Sequence, residues 1–179
     1  MKPGEMLKAL HTIEGQLVPL IEEGPDAWQS LNIDYEPPRV ERLWRQVGDL
    51  RVSLHRIHPC AQALYHPHPW PSAIRIVSGL YEMGIAESPK LLFQNLVEAD
   101  REVARMMLVA GTEYEMVHPT GWHYVKPHSM ASLSIMVTAK PWDPPVFDHG
   151  DFGQRVELQP LTNQTKQELL TSFHWWLTR

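Results

Sequence analysis

The chain has 179 residues, 43% of them hydrophobic, and a dispersed net charge of −5. That length suits one substantial core rather than two ordinary domains, and charge without a Lys/Arg block argues against a partner held through nucleic-acid or lipid phosphates. The single cysteine, Cys60, rules out an internal disulfide and a thiolate cluster, so a metal ion here would rest on nitrogen and oxygen ligands.

Taken in chain order, Met6, Leu10, Ile13, Leu17 and Ile21 recur at helical spacing and predict a helix from Gly4 to Glu23, kinked or shortened at Pro19. Its apolar stripe should pack on the outside of the rest of the fold or on a second subunit, which would make a homodimer. Glu5, His11 and Glu14 interrupt the apolar run of a secretion signal, and no segment reaches the length of a membrane span. The expected setting is the cytoplasm, with no membrane partner. A mixture of turn and helix should continue to Gln46, broken by an extended piece at Pro37-Pro38, so residues 1–47 read as a helical segment.

From Gly48 the hydrophobic period changes to two. Alternation over Leu50 to His55, Ser72 to Val77, Leu80 to Ala86, Glu102 to Val109, Glu113 to Val117, Trp122 to Lys126 and Leu133 to Ala139 predicts short strands. Punctuation by Gly79, Gly84, Gly111 and Gly121 suits an antiparallel barrel or sandwich over residues 48–145. Residues 146–179 should form an irregular stretch and a helix from about Asn163, with Leu169, Leu170, Phe173 and Trp176 on its apolar side. The whole is read as a single, mainly β domain with helical segments at both ends.

The stretch LYHPHPWP carries the chemistry. Pro67, Pro69 and Pro71 push the residues before them into extended backbone, where side chains repeat every second residue, so His66 and His68 face the same way. Two neutral imidazoles so placed can share one metal ion, although a solvated proline-rich stretch would look the same.

This stretch resembles the first motif of the cupin superfamily, in which a histidine pair is followed by a strand and a turn glycine, here Ile74 to Val77 and Gly79. The second cupin motif resembles Gly111, Pro119-Thr-Gly121 and His123. The resemblance implies a cupin-type double-stranded β-helix, a jelly-roll barrel, with His66, His68 and His123 as metal ligands. Ser72 stands where the first motif has its glutamate, one residue rather than two separates Gly121 from His123, and Pro127 replaces an asparagine. A three-histidine set is similar to that of the cysteine dioxygenase family; Ser134 matches that family's Ser-His-Tyr element, but Met136 and Thr138 replace its histidine and tyrosine.

Such a site implies one divalent ion, Fe(II) first, with Zn, Mn or Ni as alternatives. The reading that follows is a small Fe(II) oxygenase acting on a small anionic thiol or carboxylic acid. Its rivals are a Lewis-acid isomerase, lyase or hydrolase, and a binding module without turnover. Arg75 is the candidate anchor for a substrate carboxylate, and Tyr124, with Tyr81 and Glu82 beside it, the candidate acid or base. His118 is an alternative ligand, His55 and His58 candidate supports, Trp70 and Trp122 candidate apolar walls, and His11, His128, His149 and His174 read as surface.

Overall fold

The computed structural model describes residues 2–34, 36–87, 90–91, 97–98, 101–119, 121–143 and 158–179. His149 lies outside them. The strands are β1 (Gln29–Ile33), β2 (Val40–Val47), β3 (Leu50–Ile57), β4 (His66–Pro67), β5 (Ser72–Ser78), β6 (Leu80–Glu87), β7 (Lys90–Leu91), β8 (Val97–Glu98), β9 (Arg101–Val109), β10 (Glu113–Met116), β11 (Gly121–Pro127) and β12 (Ser132–Thr138). Two helices, α1 (Glu5–Glu22) and α2 (Asn163–Leu177), stand at the ends of the chain.

One sheet runs β1-β2-β3-β12-β5-β10 and a second runs β4-β11-β6-β9. The pairing is nested and antiparallel: β3 with β12, β4 with β11, β5 with β10 and β6 with β9. A long hairpin folded back on itself pairs its strands in this way, and the result is a jelly roll. The expected mainly β barrel with terminal helices is therefore the observed fold. Gly79, at φ 83, turns β5 into β6, and a Cβ there would lie 2.9 Å from the Ser132 backbone. Both constraints require glycine.

Two cores follow from alternation along the larger sheet. Leu43, Val52, Leu54, Ala73, Ile135 and Val137 point outward and are covered by α1 and α2 through Met6, Leu10, Leu17, Leu169 and Phe173. Ile57, Ile76, Tyr81, Met83, Leu108 and Val125 fill the space between the sheets. The α1 stripe thus packs on the outside of the barrel.

The sequence expectation fails over residues 29–33 and 40–47, which form β1 and β2 rather than a helical continuation. Glu41 and Leu43 lie on one face of β2 while Arg42 and Trp44 lie on the other. Each face mixes polar with apolar residues, so no clean period of two is visible. Pro19 does not end α1, which runs on to Glu22; few residues of the helix remain beyond it to be disturbed. In α2, Thr162 Oγ1 accepts from Thr165 N at 3.2 Å and caps the first turn. Leu169, Leu170 and Phe173 are buried as expected, but Trp176 is exposed.

Candidate metal centre

Proline stiffens the segment that brings the first two histidines in, and strand pairing supplies the third. His66 on β4 stands opposite His123 on β11, and Pro67 opposite Trp122. His68 follows on the same face as His66, so three rings converge: centroids lie 4.7 Å apart for His66–His123 and His68–His123, and 5.7 Å for His66–His68. One nitrogen from each ring lies within 4.8 Å of the other two. His118 is not part of the cluster; its carbonyl accepts from Gly121 N at 3.1 Å and closes the turn before β11.

The surroundings orient the rings. His66 Nδ1 faces the carbonyl of Leu64 at 3.3 Å. A carbonyl only accepts, so this nitrogen carries the proton and Nε2 keeps its lone pair. His68 Nδ1 meets Ser72 Oγ at 2.7 Å. Ser72, at the position where the sequence motif calls for glutamate, is fully buried and holds the His68 ring.

All three rings are held neutral. Burial, then the neighbouring His66 and Arg42, pushes His68 down to about 3. Burial, then His66 and His68, drives His123 well below the ordinary range. His66, the solvent-exposed member of the trio, is lowered as well, by burial and then by Arg42, with the Leu64 contact opposing.

The trio fits a divalent ion. Two nitrogens each about 2.1 Å from one ion and at right angles lie about 3.0 Å apart. Nε2 of His68 and Nε2 of His123 are separated by 3.1 Å. In the protein alone this contact is a ring-to-ring hydrogen bond, and it leaves Nδ1 of His123 buried without a partner. Three neutral imidazoles converging in this way are the donor set of a first-row divalent metal, which would take the place of the proton between the two Nε2 atoms.

These observations decide the architecture: nested strand pairing carries the two sequence motifs to β4 and β11, where their histidines meet. The fold is the cupin barrel. No family model and no curated protein matches the chain. Among similar solved structures, the hydroxypropylphosphonic acid epoxidase from S. wedmorenis covers 64% of this chain and 56% of its own at 15% identity, with a TM-score of 0.47. KdgF from Halomonas sp. covers 65% of this chain and 90% of its own at 19% identity, with a TM-score of 0.44. The DMSP lyase DddQ from Ruegeria pomeroyi covers 52% and 40% at 12% identity, with a TM-score of 0.39. The chain thus spans little more than half the length of the first of them.

Other side chains lie elsewhere than the sequence suggested. Arg75 does not join the trio: Ser72 and Ile76 on β5 face the barrel interior, whereas Arg75 faces α1, bonding Glu14 at 2.9 Å with Glu113 at 3.9 Å. Tyr124 follows His123 and so takes the opposite face, where its hydroxyl donates to Glu82 at 2.6 Å. Burial first, then Glu82, pushes that phenol up to about 12. His58 lies 3.2 Å from Glu41, away from the trio, while His55 is buried inside the barrel and accepts from Arg42 Nε at 2.8 Å.

Three interior residues escaped sequence reasoning. Tyr114 on β10 stacks edge-on to His123 at 6.2 Å, and its hydroxyl meets that of Tyr81 at 2.9 Å. Arg42 and Arg51 are cations on the barrel's inner side. The parity of β10 and β2 was readable from alternation, but nothing local says which parity faces inward.

Proposed function

We propose that this cupin chain is a metal-dependent enzyme, a non-haem Fe(II) oxygenase acting on a small anionic molecule such as a thiol or carboxylic acid. The observation that carries this reading is the convergence of His66, His68 and His123, three neutral ligands without a carboxylate in their cluster. His66, His68 and His123 would hold Fe(II) without neutralising its charge, and the ion would supply the redox chemistry of oxygenation.

The chain's own residues do the rest. Leu64 and Ser72 fix ring orientation, so that little reorganisation is needed when the metal enters. Val125, two residues beyond His123 on β11, belongs to the apolar inner core with Ile76 and Met83 and gives the buried side of the site an apolar neighbour. Tyr114, joined to Tyr81, holds a proton next to His123; burial raises both phenols above their ordinary range, so both stay protonated.

That tyrosine pair also favours a second reading, in which Zn, Mn or Ni acts as Lewis acid and Tyr114 as proton donor in an isomerase, lyase or hydrolase. The test is anaerobic loading with Fe(II), followed by nitric oxide as a spectroscopic stand-in for dioxygen and by oxygen uptake with a panel of thiols and carboxylic acids. Nitric oxide binding and substrate-dependent uptake, both lost in His123→Ala, are the expected results. Loaded protein that shows neither belongs to the second reading.

A further inference from the structure

Inward-facing side chains of β2, β3 and β12 enclose a cavity of ≈ 80 Å³ against Trp70. That is room for one small oxyanion in place of a few waters. Two of its lining residues lead toward the histidine trio. Trp70 lies two residues beyond His68. Thr138, on the cavity wall, stands opposite Ser72 across β12 and β5, and Ser72 bonds His68.

The lining is one-sided in charge. Arg42 and Arg51 both contribute, and no described residue on the wall is acidic. The Arg51 guanidinium carbon sits 4.5 Å from the ring centre of Trp44 and 5.9 Å from that of Trp70. Stacking of this kind occupies the flat faces of the guanidinium and leaves its in-plane N–H groups for a planar acceptor. Arg51 has no carboxylate partner among the described residues. Trp70 adds a second unmet donor, since its indole Nε1 is buried without a hydrogen-bond partner. The Arg51 guanidinium and the Trp70 indole N–H are donors without an acceptor among the described residues, which is costly in a buried setting, and an anion would satisfy them.

We propose that Arg51, with Arg42 and the Trp70 indole N–H, binds the carboxylate of a small organic acid and so holds the substrate beside the histidine trio. A carboxylate is planar and matches the guanidinium fork, which suits a narrow slot between indole rings better than a tetrahedral phosphate does. The role in turnover rests on the metal-centre reading above; the binding itself does not, because none of these groups is a metal ligand.

The experiment titrates acetate, and separately inorganic phosphate, into the full chain as purified and again after metal removal with a chelator. Tryptophan fluorescence and calorimetry follow binding. Saturable one-to-one binding of acetate is expected in both forms, weakened about tenfold or more in Arg51→Met and partly restored in Arg51→Lys. Several results would overturn the proposal: a linear, non-saturating response to acetate, saturation by phosphate alone, acetate binding that needs the metal, or affinity untouched by Arg51→Met. Should Arg51→Met fail to fold, the wild-type titrations and Arg51→Lys still decide. Acetate binding in a chain that never takes up metal would sink the metal-centre reading and leave the carboxylate pocket standing.

Discussion

Ser72 and His68 share a hydrogen bond of 2.7 Å between a fully buried hydroxyl and a ring nitrogen turned away from the other histidines. The serine contributes no ligand atom to the cluster, yet it determines where the second nitrogen of His68 points. Ser72→Ala removes little volume and should leave the fold intact. Metal affinity should fall by about ten- to a hundredfold, the usual cost of losing a group that orients a ligand. A competitive chelator titration beside a thermal melt separates the two effects; unchanged affinity would make Ser72 a packing residue only.

A second prediction concerns acid stability, through a cluster remote from the histidine trio. Glu41 is buried on β2, where it bonds Arg39 at 2.8 Å, pairs with Arg56, and lies 3.2 Å from His58. Burial alone would raise its carboxyl, but the hydrogen bonds and charges of Arg56 and His58 outweigh this and hold it below the usual 4.5. A carboxylate with a depressed folded pKa adds stability that is complete above the unfolded value and is lost as pH falls through the folded one. Urea unfolding from pH 7 to pH 3 should therefore show a loss below about 4.5 that Glu41→Gln flattens, at a cost of about 1–3 kcal/mol at neutral pH. Parallel pH curves for the two proteins would contradict this.

The helices supply a third. Leu17 on α1 and Phe173 on α2 are fully buried against the outer face of the larger sheet. Leu17→Ala should cost about 2–5 kcal/mol and Phe173→Ala about 3–5 kcal/mol in chemical denaturation, because each leaves a cavity that a stiff sheet cannot close. Neither should change metal stoichiometry, since both lie across the sheet from the trio. A loss of metal without a loss of stability would mean the helices support the site directly.

Tyr124 and Tyr114 make a fourth, contrasting pair. Tyr124 shares a strand with His123 but points to the opposite face, whereas Tyr114 stacks against the ring of His123. Tyr114→Phe should alter the spectrum of a nitric oxide complex at the iron-loaded centre, and Tyr124→Phe should leave it unchanged. The reverse pattern would overturn the placement of both.

How much of this was legible in the sequence follows from which faces are buried. Strands β5, β6 and β9 to β12 announce themselves by alternation, as does the stripe of α1. Strands β1 and β2 do not, because β2 sends Glu41 to the helix side and Arg42 to the interior. The trio was legible because proline fixes the local backbone and the motif spacing points to His123. Arg75 was misplaced for a reason that generalises: alternation gives parity, but with both faces of β5 covered, parity does not say which side is the interior. Tyr124 offended against the same parity rule, since neighbours on a strand cannot share a face. Arg42, Arg51 and Tyr114 come to the inner side from strands distant in sequence, and only nested pairing brings them near the histidines.

The most direct measurement is the metal content of the chain purified without an affinity tag, then equilibrated anaerobically with Fe(II) or Zn(II) and freed of excess. One ion per chain, retained through desalting, is expected, with its loss in His66→Ala, His68→Ala and His123→Ala, each with a near-native thermal melt. A wild-type chain that holds no ion, or three variants that hold it as well as the wild type, would contradict the claim that these histidines form a metal centre.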